Sequence, residues 1–284
     1  MQRLRLNNNR EIDILGLGTY QMRKEEVENA VNAAMKNGYR LYDTAQVYRN
    51  EGEVASGIRK TGIKREDVFI TTKISTANQG YSAAKESLRE SMKVMDEEYL
   101  DLVLIHWPGA EKVELDDPKN KELRHGTYEA LIELQKEGVV KNIGVSNFMI
   151  SHLRDLFEAF HERPQVNQIE LSPICYPKEV VEFCQENGVV VQSYSTLGRG
   201  KLLSEEWAEK YPVLKRMKQK GDISAQILKW AMLKECAVIP KSKTPERIEQ
   251  NFKALTAEIS EEDVEGLDDF PVQERTCWDP NKIL

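Results

Sequence analysis

Short continuous apolar runs alternate along the chain with stretches in which apolar residues recur every three or four positions. The runs lie at 15–18, 40–43, 68–73, 100–106, 142–145, 166–169, 189–194 and 237–239. Each is too short for a helix, and most lack an alternating polar face, which reads as strands buried on both sides. Between them, 25–37 carries Val27, Ala30, Val31 and Ala34 on one helical face. The segments 82–96, 126–137, 176–187, 224–234 and 260–269 read as helices in the same way. Gly38, Gly138 and Gly188 each follow a helix and precede a strand, where a left-handed C-cap belongs. Residues 4–6 and 12–15 flank Asn7-Asn8-Asn9-Arg10 and predict a hairpin outside the repeat.

Eight strands with interleaved helices predict a parallel (β/α)8 TIM barrel, because each parallel pairing needs a crossover. The hairpin would then close the barrel floor. A doubly wound sheet would show G-x-G-x-x-G after its first strand, but Gly16-Leu17-Gly18 runs on into Thr19-Tyr20-Gln21. A chain of 284 residues could hold two domains, yet one barrel over 1–284 fits the length.

Several strands end in polar residues: Asp43, Lys73, His106, and Ser146 with Asn147. Barrel strand ends converge on one mouth, so these side chains would meet there. A lysine after Val68-Phe69-Ile70-Thr71-Thr72 is costly to bury unless paired, and Asp43 is its expected partner. Tyr48 lies in the loop after Asp43. A nearby ammonium stabilises a phenolate, so an Asp43–Lys73–Tyr48 relay is expected to lower the phenol's pKa and make it a general acid. His106 would orient a substrate oxygen. His125, His152 and His161 lack such a pattern and are expected at the surface.

Composition narrows the rest. The net charge of −7 argues against a nucleic-acid groove. No apolar run approaches a membrane span and the N-terminus lacks a signal-peptide core, so the expected site is the cytoplasm. Cys175, Cys184, Cys236 and Cys277 show neither CxxC pairing nor histidines at ligand spacing, which predicts free thiols and no metal. Against the acidic background, Lys241-Ser242-Lys243-Thr244-Pro245-Glu246-Arg247 follows the last strand and opens a helix. Helix N-termini favour anions, and Arg grips phosphate in two places.

Taken together, Gly16-Leu17-Gly18-Thr19, Tyr42-Asp43-Thr44-Ala45, Thr72-Lys73, Leu104-Ile105-His106-Trp107-Pro108, Gly144-Val145-Ser146-Asn147-Phe148, Val166-Asn167-Gln168-Ile169-Glu170, Ser195-Thr196-Leu197-Gly198 and Ile239-Pro240-Lys241-Ser242 make nearly the whole chain resemble the aldo-keto reductases. The resemblance implies Asp43, Tyr48, Lys73 and His106 as catalytic tetrad, with hydride moving from a nicotinamide to a carbonyl carbon and Tyr48 protonating the oxygen. It implies NADPH/NADP+ as cofactor, with Lys241, Ser242, Thr244 and Arg247 at the 2′-phosphate and Gln250 and Asn251 near the adenine. Ser146, Asn147 and Gln168 would hold the carboxamide and Tyr194 would stack on the nicotinamide. Gly18, Thr19, Asp43, Ser195 and Leu197 complete the implied cofactor set.

Departures concern the substrate. Tyr20 stands where many members carry Trp, and Thr196 where Pro is common. The segment 109–124 reads as a short charged loop and 199–219 as helix-like and polar. The family's C-terminal segment closes over the pocket, so Trp107 and Trp278 join Tyr20, Tyr48 and His106 as expected substrate contacts. The expected partner is a small carbonyl compound, with no nucleic acid or membrane, on a monomer. Two alternatives stay open: a cofactor-binding accessory subunit, as potassium-channel β-subunits are, and a Schiff-base enzyme using Lys73.

Overall fold

The computed structural model describes residues 2–284. The hairpin comes first, β1 (Arg3–Arg5) pairing antiparallel with β2 (Glu11–Asp13), Leu4 opposite Ile12. Its turn closes with the Leu6 amide donating to the Arg10 carbonyl and Asn9 in the left-handed region at φ 67°. Leu6 and Ile12 are fully buried against Leu41, Leu102, Leu104 and Val166, which are inward residues of the barrel. The hairpin therefore plugs the end where the strands begin and leaves chemistry to the other end.

The barrel consists of β3 (Gly16–Gly18), β4 (Leu41–Asp43), β5 (Phe69–Ile74), β6 (Leu100–Ile105), β7 (Val140–Ser146), β8 (Val166–Glu170), β9 (Val190–Tyr194) and β10 (Ala237–Val238), parallel neighbours in chain order. Single parallel bridges between Leu15 and Val238 and between Gly18 and Lys241 close the ring. Gly144 is required where β7 meets β8, since a Cβ there would lie 2.5 Å from the Val166 carbonyl oxygen. Side chains alternate faces along each strand. Tyr42, Ile70, Val103, Ile105, Ile169 and Val191 enter the large core between sheet and helices. Asp43, Lys73, Gln168 and Gln192 fall on the opposite, inward parity.

The helices are α1 (Lys24–Asn37), α2 (Glu51–Lys60), α3 (Tyr81–Met95), α4 (Lys119–Lys136), α5 (Ile150–Ala159), α6 (Lys178–Glu186), α7 (Glu205–Lys210), α8 (Pro212–Lys220), α9 (Ile223–Leu233), α10 (Pro245–Phe252) and α11 (Glu261–Asp268). The expected C-cap glycines all adopt positive φ: Gly38 at 97°, Gly138 at 81° and Gly188 at 70°. Three expectations need correction. α4 begins well before 126, so 119–124 is helix rather than loop; Gly126 sits inside the helix because a Cβ there would lie 3.0 Å from the Tyr81 amide of α3. The segment 199–219 is helical but not simply polar, since Leu202, Ala208, Tyr211, Val213, Leu214 and Met217 are buried. His152 is buried, not at the surface, because its ring bridges the Met149 amide and the Ile283 carbonyl. His125 is half-buried against Asp155 and His161 is exposed. The four cysteines are unpaired. Among the described residues, no helix is long and apolar enough to cross a membrane.

Candidate active site

Asp43 ends β4, and the chain then makes a single turn of 3-10 helix, Gln46–Tyr48, before α2. Lys73 is fully enclosed on β5, with Nζ 2.6 Å from Asp43 Oδ1. The same ammonium donates to the Thr44 carbonyl at 2.8 Å and to the Tyr48 hydroxyl at 3.4 Å. The His106 ring meets the Tyr48 ring edge-on, with centroids 5.7 Å apart. All four residues of the expected tetrad therefore converge on the mouth.

The electrostatics differ from the expectation in one respect. Burial pushes the Tyr48 phenol well above 10, with the Asp43 carboxylate and then Tyr20 adding to the rise. The Lys73 charge does not reverse this because it is already committed to Asp43 and Thr44, its closer partners. Burial pulls the Lys73 ammonium itself down, and Asp43 opposes that. The phenol is thus held protonated, which is the form a proton donor starts from. Burial, followed by the Lys73 charge, lowers the His106 pKa to about 3, so its imidazole is neutral near pH 7 and can donate a hydrogen bond.

That value carries a stability prediction. A folded-state pKa below the unfolded one means that the unfolded chain binds the extra proton first. The His106 contribution is intact above pH 6.5 and is lost as pH falls from there towards 3. Between pH 6.5 and 4.5 it should amount to about 2–3 kcal/mol. Denaturant unfolding at both pH values is expected to show an acid loss larger by that amount in the parent than in His106→Asn.

Residues that sequence patterning did not single out brace this arrangement. Gln46 Oε1 accepts from the Ser75 amide at 2.9 Å and from Asn78 Nδ2 at 3.0 Å, and its Nε2 donates to Ser91 Oγ at 3.1 Å. Asn50 accepts from Thr44 Oγ1 at 2.7 Å and donates to the Thr19 carbonyl at 2.9 Å. The turn carrying Tyr48 is thereby tied to β5 on one side and β3 on the other. Buried Glu51 accepts from Thr72 and Ser91, behind Lys73. Inside the barrel, Gln168 Nε2 donates to Asp43 Oδ2 at 2.8 Å and to Gln192 Oε1 at 2.6 Å, so both Asp43 oxygens have partners. Inward parity with Asp43 and Lys73 was the available signal for Gln192.

The expected nicotinamide residues form one cluster. Ser146 Oγ donates to the Gln168 carbonyl at 2.8 Å, Asn147 Nδ2 donates to the His106 carbonyl at 3.0 Å, and the Tyr194 hydroxyl donates to Asn147 Oδ1 at 2.6 Å. Asn147 and Ser195 hold left-handed conformations at φ 64° and 55°. These contacts, with Asn147 Nδ2 also donating to Ser146 Oγ at 3.1 Å and Gln168 Nε2 donating to Asp43 and Gln192, use the donors of Gln168, Asn147 and Ser146 within the protein. Thr19 is buried with Oγ1 on the Asp43 carbonyl at 2.8 Å, and half-buried Leu197 precedes a 3-10 turn, Gly198–Leu203.

After β10, Lys241 is bridged to Gly18, while buried Ser242 accepts from the Thr244 amide at 3.2 Å. Thr244 is the N-cap of α10 but its side chain makes no cap bond, so the first amides of that helix stay open. Lys243 is paired with Glu26 at 2.6 Å, whereas Lys241 and Arg247 have no ion-pair partner among the described residues. Gln250 is exposed and Asn251 buried. On the substrate side, the Tyr20 ring lies 5.0 Å from that of Tyr48, and Trp107 and Trp278 lie 5.9 Å apart. Trp278 is 78% exposed, so it borders the mouth without filling it.

The model of the Aldo/keto reductase family matches residues 14–271. The chain belongs to the aldo/keto reductase family. Glyoxal reductase of Bacillus subtilis (strain 168) is 35% identical over 284 residues, covering 99% of this chain and 97% of the relative. An aldo-keto reductase from a Medee basin deep-sea metagenome library superimposes with a TM-score of 0.88 at 35% identity, covering 98% of both chains. A mutant of Gox0644 in complex with NADPH gives a TM-score of 0.86 at 31% identity, covering 99% of this chain and 97% of that one. As an aldo/keto reductase, the chain is an oxidoreductase acting on carbonyl groups with a nicotinamide cofactor.

Proposed function

We propose that this chain reduces aldehydes or ketones to alcohols with NADPH, and that Tyr48 is the proton donor. The observation that carries the reading is the Tyr48 hydroxyl, kept protonated by burial at 3.4 Å from an ammonium that Asp43 holds in place. A bound nicotinamide supplies the hydride for the carbonyl carbon. Neutral His106 donates a hydrogen bond to the carbonyl oxygen and turns it towards Tyr48. As negative charge grows on that oxygen, Tyr48 gives up its proton, and the Lys73 ammonium steadies the phenolate left behind. Asp43 keeps Lys73 charged in a site where burial works against the charge. Gln168, Asn147 and Ser146 offer acceptors to the carboxamide, and Tyr194 offers a ring face.

Specificity for the phosphorylated cofactor rests on the open amides at the start of α10 and on two cations, Lys241 and Arg247, that have no ion-pair partner among the described residues. A charge-assisted phosphate contact is worth about 1.5–3 kcal/mol. Arg247→Ala should therefore weaken NADPH by about ten- to a hundredfold and leave NADH almost unchanged, as read by fluorescence titration. Equal losses for both cofactors would place the 2′-phosphate elsewhere. The relative crystallised with NADPH supports this choice. A Schiff-base role for Lys73 is disfavoured because Nζ is sealed from solvent and held by three oxygens.

A further inference from the structure

Val166, Gln168 and Glu170 share the inward face of β8, so the Glu170 carboxylate stands one rung nearer the mouth than Gln168. It is 1% exposed. A buried carboxylate needs hydrogen-bonded or charged partners. Its side-chain partners all come from three consecutive residues of the C-terminal tail. Oε1 accepts from the Thr276 amide at 2.7 Å and from the Thr276 hydroxyl, Oε2 accepts from the Cys277 amide at 3.2 Å, and Arg275 Nη1 lies 3.8 Å from Oε2. Just upstream, Gln273 Nε2 donates to the Pro173 carbonyl at 2.8 Å. At the far end, His152 accepts from the Met149 amide through Nδ1, so its Nε2 carries the proton donated to the Ile283 carbonyl at 2.8 Å. Between these anchors lies Trp278, 5.9 Å from Trp107 and 78% exposed. An indole so exposed has little packing to hold it, and the anchored backbone beside it sets its position.

We propose that Glu170 is a positioning residue for substrate selection: its carboxylate latches residues 275–277 and so holds Trp278 beside Trp107 at the mouth, against the part of the substrate remote from the carbonyl. The proposal rests on the carbonyl-reducing function proposed above. The latch acts on bulky apolar substrates, which reach the two rings, and not on short ones, which end before them. Freeing the tail withdraws the Trp278 wall and leaves in place the hydrogen bonds from Lys73 to Asp43, Thr44 and Tyr48.

The test compares kcat/KM for 2-naphthaldehyde and propanal in Glu170→Ala, Trp278→Ala and the double variant. Glu170→Ala is expected to lower the value for naphthaldehyde about tenfold or more and to leave that for propanal within about twofold. In the Trp278→Ala background it should cause no further loss, because the two changes act through one contact. Glu170→Gln, which retains an acceptor oxygen, should fall between. Hydrogen exchange should show the Thr276 and Cys277 amides losing protection in Glu170→Ala while β4–β9 keep theirs. Equal losses on both aldehydes, additive losses in the double variant, or unchanged exchange at 276–277 would each overturn the latch. If the parent chain reduces neither aldehyde, the functional reading fails, and the exchange measurement still decides whether Glu170 holds the tail.

Discussion

Tyr48→Phe is expected to lower kcat for carbonyl reduction by about 10²–10⁴-fold, the range that a general acid contributes. The change removes one oxygen and keeps the ring that packs against Tyr20 and His106. The 3-10 turn remains braced by Gln46 and Asn50, so the loss belongs to the proton step rather than to folding. Cofactor affinity, measured by fluorescence titration, should stay within about twofold. Retained turnover in that variant would remove Tyr48 from the mechanism.

The second large effect is on stability. Asp43→Ala leaves the Lys73 ammonium enclosed with no anion in contact, and breaking a buried ion pair from one side costs about 3–5 kcal/mol. It also strips Gln168 Nε2 of one acceptor. Asp43→Ala combined with Lys73→Met removes both charges and leaves no buried ion uncompensated, so denaturant unfolding should show a smaller loss for the double variant than for Asp43→Ala alone. Both variants should be inactive. If Asp43→Ala unfolded at the same denaturant concentration as the parent, the pair would not be holding Lys73 in place.

These contrasts separate what the sequence made legible from what it did not. The barrel was legible because burial on both sheet faces leaves strands as unbroken apolar runs, and a polar residue such as Asp43 or Lys73 at the end of one is conspicuous. Their partnership followed from the cost of burying an unpaired ammonium. The direction of the Tyr48 shift was not legible. It follows from how deeply the phenol is buried and from the Asp43 carboxylate beside it, and neither can be read from the sequence. His152 was misplaced for a different reason: its partner Ile283 lies 131 residues away, and no local pattern announces such a contact. The start of α4 is hidden in the sequence because 119–124 is strongly charged and Gly126 interrupts the helical pattern. The reason for that glycine lies across the helix pair, where the chain of α3 comes too close for a side chain.

The floor hairpin has a consequence for how such a protein can change. Leu6 and Ile12 seal one end of the barrel, while the carbonyl would be met at the other end by residues from unrelated loops and the tail. Endurance and selectivity are therefore written in different parts of the chain. Mutations at the plug can trade heat tolerance up or down without altering which compounds are accepted, and the rim can drift towards new compounds on an undisturbed foundation.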